Sequence, residues 1–483
     1  MAHPVQSELG QLKQICSSFY TPEQLQFREQ AEPWSIWADG NPKLVVTPPN
    51  LPTLQGVIKF LYASSLDFAI RNTGTGGSSA KDVIISMHGF KTFDFDPFTE
   101  IATVGAGLAW GELDKLIEAK APGYGVVGAR CTWVGVTGAP LVGGLSWLSH
   151  EHGMISDPQN MIDAQVVLRD GRTVWAKQDG EYDLLRALRG GGGNFEGVSA
   201  LKLHLKRVSS NLFGAIISVP YSSLTETSKA VAAMHRRPAD PEVSMHVCNQ
   251  GPGMGQPDQG ARPNIAIMAM DFNGEAHARS DAGFAWAFAL PGAIEVVAFE
   301  QTLQQINAMA DSFKNYQGVN RFWCSAAMIS DIDDETLIRA FKWYEDSYNL
   351  HPGFGVGSSV LLEFMQHAAF NSVESPTSTA WPHARGRRHV MQVLLGTAPE
   401  GAPDDVKDIA MKQFAKVGPE IGGKDAFHGE YHAGFLHEWN NLEEVYGENW
   451  ERLLETKQKY DPENRFNKGI DLGRGKVTEA MTV

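Results

Sequence analysis

The sequence predicts an α+β fold in more than one domain, and three observations carry that expectation. The chain has 483 residues, more than one ordinary core supports. Short β-branched runs alternate with glycine-dense turns through the first two hundred residues. From about residue 206, turn-separated β-rich segments follow one another with longer helical patterns between them, as in an antiparallel sheet backed by helices.

The elements follow in chain order. LVVTPPNLPTLQGVIKFLYAS, from residue 44, reads as a strand, a proline-marked turn and an amphipathic helix over Leu54 to Ser64. DVIISM (82–87), EIATVGAG (100–107) and DAQVVLRDG (163–171) read as strands, with a helix from Trp110 to Glu118 among them. In the second half FGAIISVPY, VSMHVCNQG, PNIAIMAMDF, VLLEFMQ and HVMQVLLGT are strand-like, whereas TSKAVAAMHR and ETLIRAFKWYEDSY have helical periodicity. The last forty residues read as helix, with a stop at Asp461-Pro462. There is no fixed-period repeat.

Composition narrows the function. Apolar residues make up 43% and charged residues 20%, as in soluble globular proteins. Forty-one Lys and Arg against 56 Asp and Glu give a net charge of −15. Nucleic acid and anionic membranes both need a basic face, so neither is an expected partner. The four cysteines (Cys16, Cys131, Cys248, Cys324) are scattered, without metal-ligand spacing or a disulfide framework. The first twenty residues lack a basic stretch followed by an apolar core, and no window nears 18 uninterrupted apolar residues. The expectation is a cytoplasmic protein without a metal.

Three glycine-rich turns concentrate the chemistry. RNTGTGGSS comprises Arg71, Asn72, Thr73, Gly74, Thr75, Gly76, Gly77, Ser78 and Ser79. Glycines there let successive backbone N–H groups converge on an anion, and the hydroxyls add donors. It is neither a P-loop nor Gly-x-Gly-x-x-Gly opening a helix, and an ordinary β-turn also fits it. GARCTWVGVTGAPLVGGLSWLSHEHGMISD (128–157) contains Cys131, Gly135, Gly138, Gly143, Gly144 and Asp157. LLRALRGGGGNFEGVSALKLHL (184–205) joins a helix to a strand through four consecutive glycines. Such runs are kept where backbone must approach a ligand or another strand.

In this order and spacing the three turns resemble those of FAD-linked oxidases of the vanillyl-alcohol-oxidase superfamily, berberine-bridge-enzyme-like branch. The resemblance covers the first 205 residues, returns in STAWPHARGRRHVMQ (378–392), and closes with YGENWERLLETKQKYDPENRFN (446–467). It implies a two-part PCMH-type FAD-binding domain (1–205 and 440–483) around an antiparallel-sheet substrate domain (206–439). It also implies that the loop Arg71 to Ser79 cradles the FAD pyrophosphate and that Cys131 to Gly144 lies along the flavin. Asp157, Asn160 and the strand near Val198 would border the cofactor.

The chain departs from the family pattern at three places. The flavin-linking histidine falls on Thr75, which cannot form that bond. Cys131 matches the second tether, to flavin C6, although a free cysteine is also a common small buried hydrophobe; non-covalent FAD is favoured. Glu196 interrupts Asn-Phe-Gly-Val and reads as a solvated turn residue, contact with flavin N1 and its surroundings being the alternative. Ala433 replaces the asparagine of Tyr-x-Asn, whose tyrosine matches Tyr431.

An oxidase of this kind needs a base for the proton that accompanies hydride transfer. Tyr431 is one candidate. Glu363, a lone carboxylate in the strand-like VLLEFMQ, is the other, a surface-facing strand residue being the alternative. His383 reads as structural, and His432 and His437 as exposed-loop residues. The resemblance implies a FAD-dependent oxidase acting on a small hydrophobic metabolite of secondary metabolism, with O2 as electron acceptor. A non-redox isomerase or cyclase that retains FAD as architecture is the alternative, supported by the altered tether and Tyr-x-Asn string. Oligomeric state is not legible.

Overall fold

Strand pairing organises the chain into three sheets, seen in a computed structural model that describes residues 4–474 apart from 210, 252–253, 255, 320, 356, 367, 374, 384–385, 387 and 399–404. In the first sheet Leu44–Val46 and Phe68–Arg71 pair in parallel with Val83–Ser86, and the short Phe19–Tyr20 pairs antiparallel at the edge. The helix Leu51–Ala63 covers this sheet. Asn50 caps it by accepting from the Thr53 amide, a proline fits its first turn, and Leu54, Val57, Ile58 and Leu61 form the buried stripe.

The second sheet is antiparallel and centred on the long strand Gly197–Arg207, flanked by Ile101–Gly105 and Met161–Val167. Phe93–Asp96 and Thr173–Ala176 extend it, and Tyr124–Val126 pairs with the far end of the central strand.

The third sheet has seven antiparallel strands in the order Ile294–Gln301, Leu212–Val219, Ile265–Asp271, Val243–Asn249, Ser359–Phe364, His389–Thr397, Arg321–Ile329. Because successive side chains point to opposite faces, its register decides which residues meet. Ile217, Val247, Ile267, Leu362 and Val393 enter a core shared with the helices Leu224–His235, Thr336–Leu350 and Val406–Lys416. The other face presents Ile216, His246, Met268, Leu361, Glu363 and Gln392 to a cavity. His246 pairs with Glu363 across neighbouring strands.

The C-terminal helix Trp450–Tyr460 brings the chain back to its beginning. Arg465 Nη2 donates to Leu61 O (3.0 Å) and Leu66 O (2.6 Å). Phe466 packs against Tyr62 and edge-on to Phe68. No helix among the described residues is long and apolar enough to cross a membrane.

Candidate FAD and substrate site

A cavity of about 1500 Å³ runs from the glycine loop to the open face of the seven-stranded sheet. That exceeds the roughly 300–1,000 Å³ of an ordinary small-molecule pocket, leaving room for a dinucleotide and a second ligand.

The loop after Phe68–Arg71 forms one wall, lined by Asn72, Thr73, Gly74, Thr75, Gly76, Gly77 and Ser78. Gly74 (φ +82°) and Gly77 (φ +75°) hold left-handed backbone, which lets successive amides converge. A Cβ on Gly76 would meet nothing within 4 Å, so the loop borders open space. Arg71 is not in the wall. Its buried guanidinium donates to Ala31 O (3.1 Å), to Glu32 O and to Thr73 O (3.3 Å), and so pins the root of the loop. Asn72 Nδ2 donates to Leu108 O (3.1 Å), which ties the loop to the second glycine turn.

From that second turn Cys131, Gly135, Gly138 and Gly144 line the cavity, as does Val198 from the long central strand. Gly143, Asp157 and Asn160, which the resemblance implies beside the cofactor, are not among the lining residues. Gly143 sits under Trp381. Asp157 is fully buried; it accepts from the Met154 amide (2.8 Å) and pairs with His383, whose pKa is raised against its burial by that carboxylate. Asn160 Nδ2 donates to His152 O and Met154 O. These residues hold the turn's shape from behind, and a turn sequence does not reveal which side faces a ligand.

On the sheet side Glu363 Oε1 lies 2.6 Å from Arg130 Nη2, with only 4% of the glutamate side chain exposed. Its other oxygen, Oε2, is buried without a protein partner. The Arg130 guanidinium also lies over the Trp147 ring (5.5 Å), and Trp147 packs on His246 at 4.1 Å. Burial first, then the charge of Arg130, holds His246 well below the ordinary imidazole range, so it is neutral. His246 was not legible as a site residue. The signal lies in VSMHVCN, whose alternation puts Ser244, His246 and Cys248 on one face. Desolvation pushes the Cys131 thiol up to about 12, so it carries its proton at neutral pH.

Tyr431 does not line the cavity. Its ring is packed edge-on by Phe427 and Trp439, and burial pushes its pKa to about 12. Residue 431 bridges to Ala327, and His432 N donates to Ala326 O, so the extended segment turns the next side chain, His432, inward. His432 is buried and its pKa is pulled down to about 3, by burial and then by Arg130 and His383. Neither His432 nor His437 is an exposed-loop residue. Glu196 is likewise not solvated: it is buried, lines the cavity, and both its oxygens lack a partner. The remaining lining mixes polar residues such as Asn249, Ser359 and Gln392 with aromatic pairs, Trp34 stacked on Trp133 (5.1 Å) and Trp37 on Trp323 (6.1 Å).

Comparison with known proteins agrees with this geometry. Residues 42–177 match the FAD binding domain family and residues 425–469 match the berberine and berberine-like family. The FAD-linked oxidoreductase iacH of Pestalotiopsis fici is 24% identical over 96% of this chain and 89% of its own length. The fold superposes on a berberine bridge enzyme variant in complex with (S)-reticuline with a TM-score of 0.77, at 17% identity and covering 96% and 98% of the two chains. A xylooligosaccharide oxidase from Myceliophthora thermophila in complex with xylobiose gives 0.77 at 18% identity, over 99% and 100%. The wall of left-handed glycines therefore belongs to a flavoprotein, and its class is the PCMH-type FAD-linked oxidoreductases. Within that class the chain is similar to the berberine-bridge-enzyme-like proteins at its C-terminal segment and in its fold, and FAD is its cofactor.

Proposed function

We propose that the protein oxidises a small, hydrophobic, ring-bearing metabolite bound between FAD and the open face of the seven-stranded sheet, with Glu363 as the proton acceptor. Residues 1–205 and 440–483 would form the cofactor-holding part and 206–439 the substrate part. The observation that carries this reading is Glu363 Oε2, a buried acceptor without a partner on the wall of a cavity continuous with the glycine loop. Bound at the Asn72–Ser78 loop and along Cys131–Gly144, FAD supplies a hydride acceptor.

The chain's own groups do the rest. Glu363 Oε2 accepts the hydroxyl or amine proton of the substrate while the carbon bearing it is oxidised. Arg130, on Oε1, fixes the carboxylate's orientation, and Trp147 and His246 fix Arg130 in turn. The tryptophans on the walls offer flat apolar faces that suit a ring-bearing substrate. The family likeness favours oxidation over the isomerase or cyclase alternative, and O2 is the proposed terminal acceptor. The FAD is proposed to be held without a covalent bond, because Thr75 offers no imidazole and Cys131 is a protonated thiol.

The test is a substrate panel with peroxide and oxygen-uptake readout. Phenolic or benzylic alcohols and amines are expected to turn over and oligosaccharides to be inert. Turnover confined to oligosaccharides would overturn the substrate class.

A further inference from the structure

The buried carboxyl of Glu196 has no role in the chemistry above. It follows the four glycines Gly190–Gly193 and precedes the strand Gly197–Arg207, with 3% of its surface exposed. Both oxygens lack a partner, yet the residue lines the cavity. The nearest cation, Lys457, cannot supply one. Its ammonium donates to Asn194 O (2.7 Å), Asp461 Oδ2 (2.6 Å) and Phe466 O (2.9 Å), which uses all three of its N–H groups. A carboxyl buried without a hydrogen bond is costly, so its persistence points to a donor that arrives with a ligand.

Its place in the cavity selects the ligand group. The charged groups around Glu196 are Lys457 and Asp461, both from the C-terminal helix and its end. Around Glu363 they are those of the Arg130 turn on the substrate side. The glycine loop at Asn72–Ser78, which fits a pyrophosphate, is a third wall. A dinucleotide gripped at its pyrophosphate sends its two halves in different directions. Were the flavin half to lie toward Arg130 and Glu363, the adenosine half would be left for Glu196.

We propose that Glu196 hydrogen-bonds the adenosine half of FAD, through the ribose hydroxyls or the adenine amine, and is a cofactor-positioning residue that makes the site favour FAD over FMN. This rests on the FAD reading. Burial raises the carboxyl above the ordinary carboxylate range, which favours the protonated form with its one donor and one acceptor. Glutamine offers the same pair of functions.

The experiment titrates the full chain, stripped of flavin, with FAD, FMN and ADP by flavin fluorescence and calorimetry. A Cys131→Ala background keeps binding reversible. Glu196→Ala is expected to weaken FAD and ADP by roughly tenfold, the loss of one buried hydrogen bond. FMN binding should be unchanged, which also reports that the variant is folded, and Glu196→Gln should bind FAD within about threefold of its parent. FAD affinity unaltered in Glu196→Ala, or FAD and FMN weakened equally, would overturn the proposal. A parent chain that binds no FAD would instead remove the cofactor reading beneath it.

Discussion

Replacing Glu363 by glutamine separates what the Arg130–Glu363 pair does for the fold from what it does for the reaction. The two side chains are 4% and 13% exposed and 2.6 Å apart. Removing one member of such a buried pair costs on the order of 3–5 kcal/mol, mostly because the other charge is stranded. Glutamine keeps an acceptor for the Arg130 guanidinium, so the loss should fall at or below the lower end of that range. The reaction is not buffered in this way. An amide cannot take a proton, and losing a general base typically slows a step by ~100- to 10,000-fold, about 3–5 kcal/mol of barrier. Thermal unfolding measures the first effect, and the rate of flavin reduction in anaerobic stopped flow measures the second. The double variant Arg130→Met with Glu363→Gln should recover stability, since no charge remains stranded, but not the rate. A Glu363→Gln enzyme that reduces its flavin within a few-fold of the parent rate would refute the assignment of Glu363 as the base.

Three further outcomes follow from the geometry. Tyr431→Phe should change turnover by only a few-fold, because the phenol lies outside the cavity wall; a hundredfold loss would return it to the mechanism. Acid precipitation should release the FAD into the supernatant; colour that stays with the pellet and is freed by Cys131→Ala would show a tether. Asp114, buried and accepting from Asn307 Nδ2 (2.9 Å), has its pKa pushed up to about 7 by desolvation. Its folded form therefore holds a proton that the unfolded chain releases near pH 4, so this group's contribution to stability falls as pH rises from about 4 to 7 and is flat above. The loss amounts to roughly 4 kcal/mol. Asp114→Asn should therefore gain stability over the parent at pH 8 more than at pH 5 in denaturant unfolding, and an equal effect at both would contradict the raised pKa.

Much of the scaffold was legible because it rests on local chemistry. HVMQVLLGT became the strand His389–Thr397, and the helix expected over Leu54 to Ser64 is Leu51–Ala63, which starts earlier because Asn50 caps it and a proline fits its first turn. The glycine loop was legible because left-handed backbone at Gly74 and Gly77 restricts composition. What failed depended on which face of a segment meets the cavity. The Tyr-x-Asn match placed Tyr431 inside, but strand geometry turns His432 in. Glu196, in a turn-like string, reads as solvated until the C-terminal helix closes over it with Lys457. His246 was missed because Val243–Asn249 is buried throughout, so alternation alone does not say which face meets the cavity; its register opposite Glu363 does. Asp157 and Asn160 came from the family resemblance, and their hydrogen bonds run into the scaffold. Facing is a tertiary property, fixed by packing among segments far apart in the chain.

The central claim is that the cavity performs a hydride-transfer oxidation with FAD. The most direct measurement mixes the FAD-loaded enzyme anaerobically with a substrate it converts and follows the long-wavelength flavin absorbance. The account predicts bleaching at a rate no slower than turnover, with colour restored when O2 is admitted. Product formed in full while the flavin spectrum stays unchanged would contradict it.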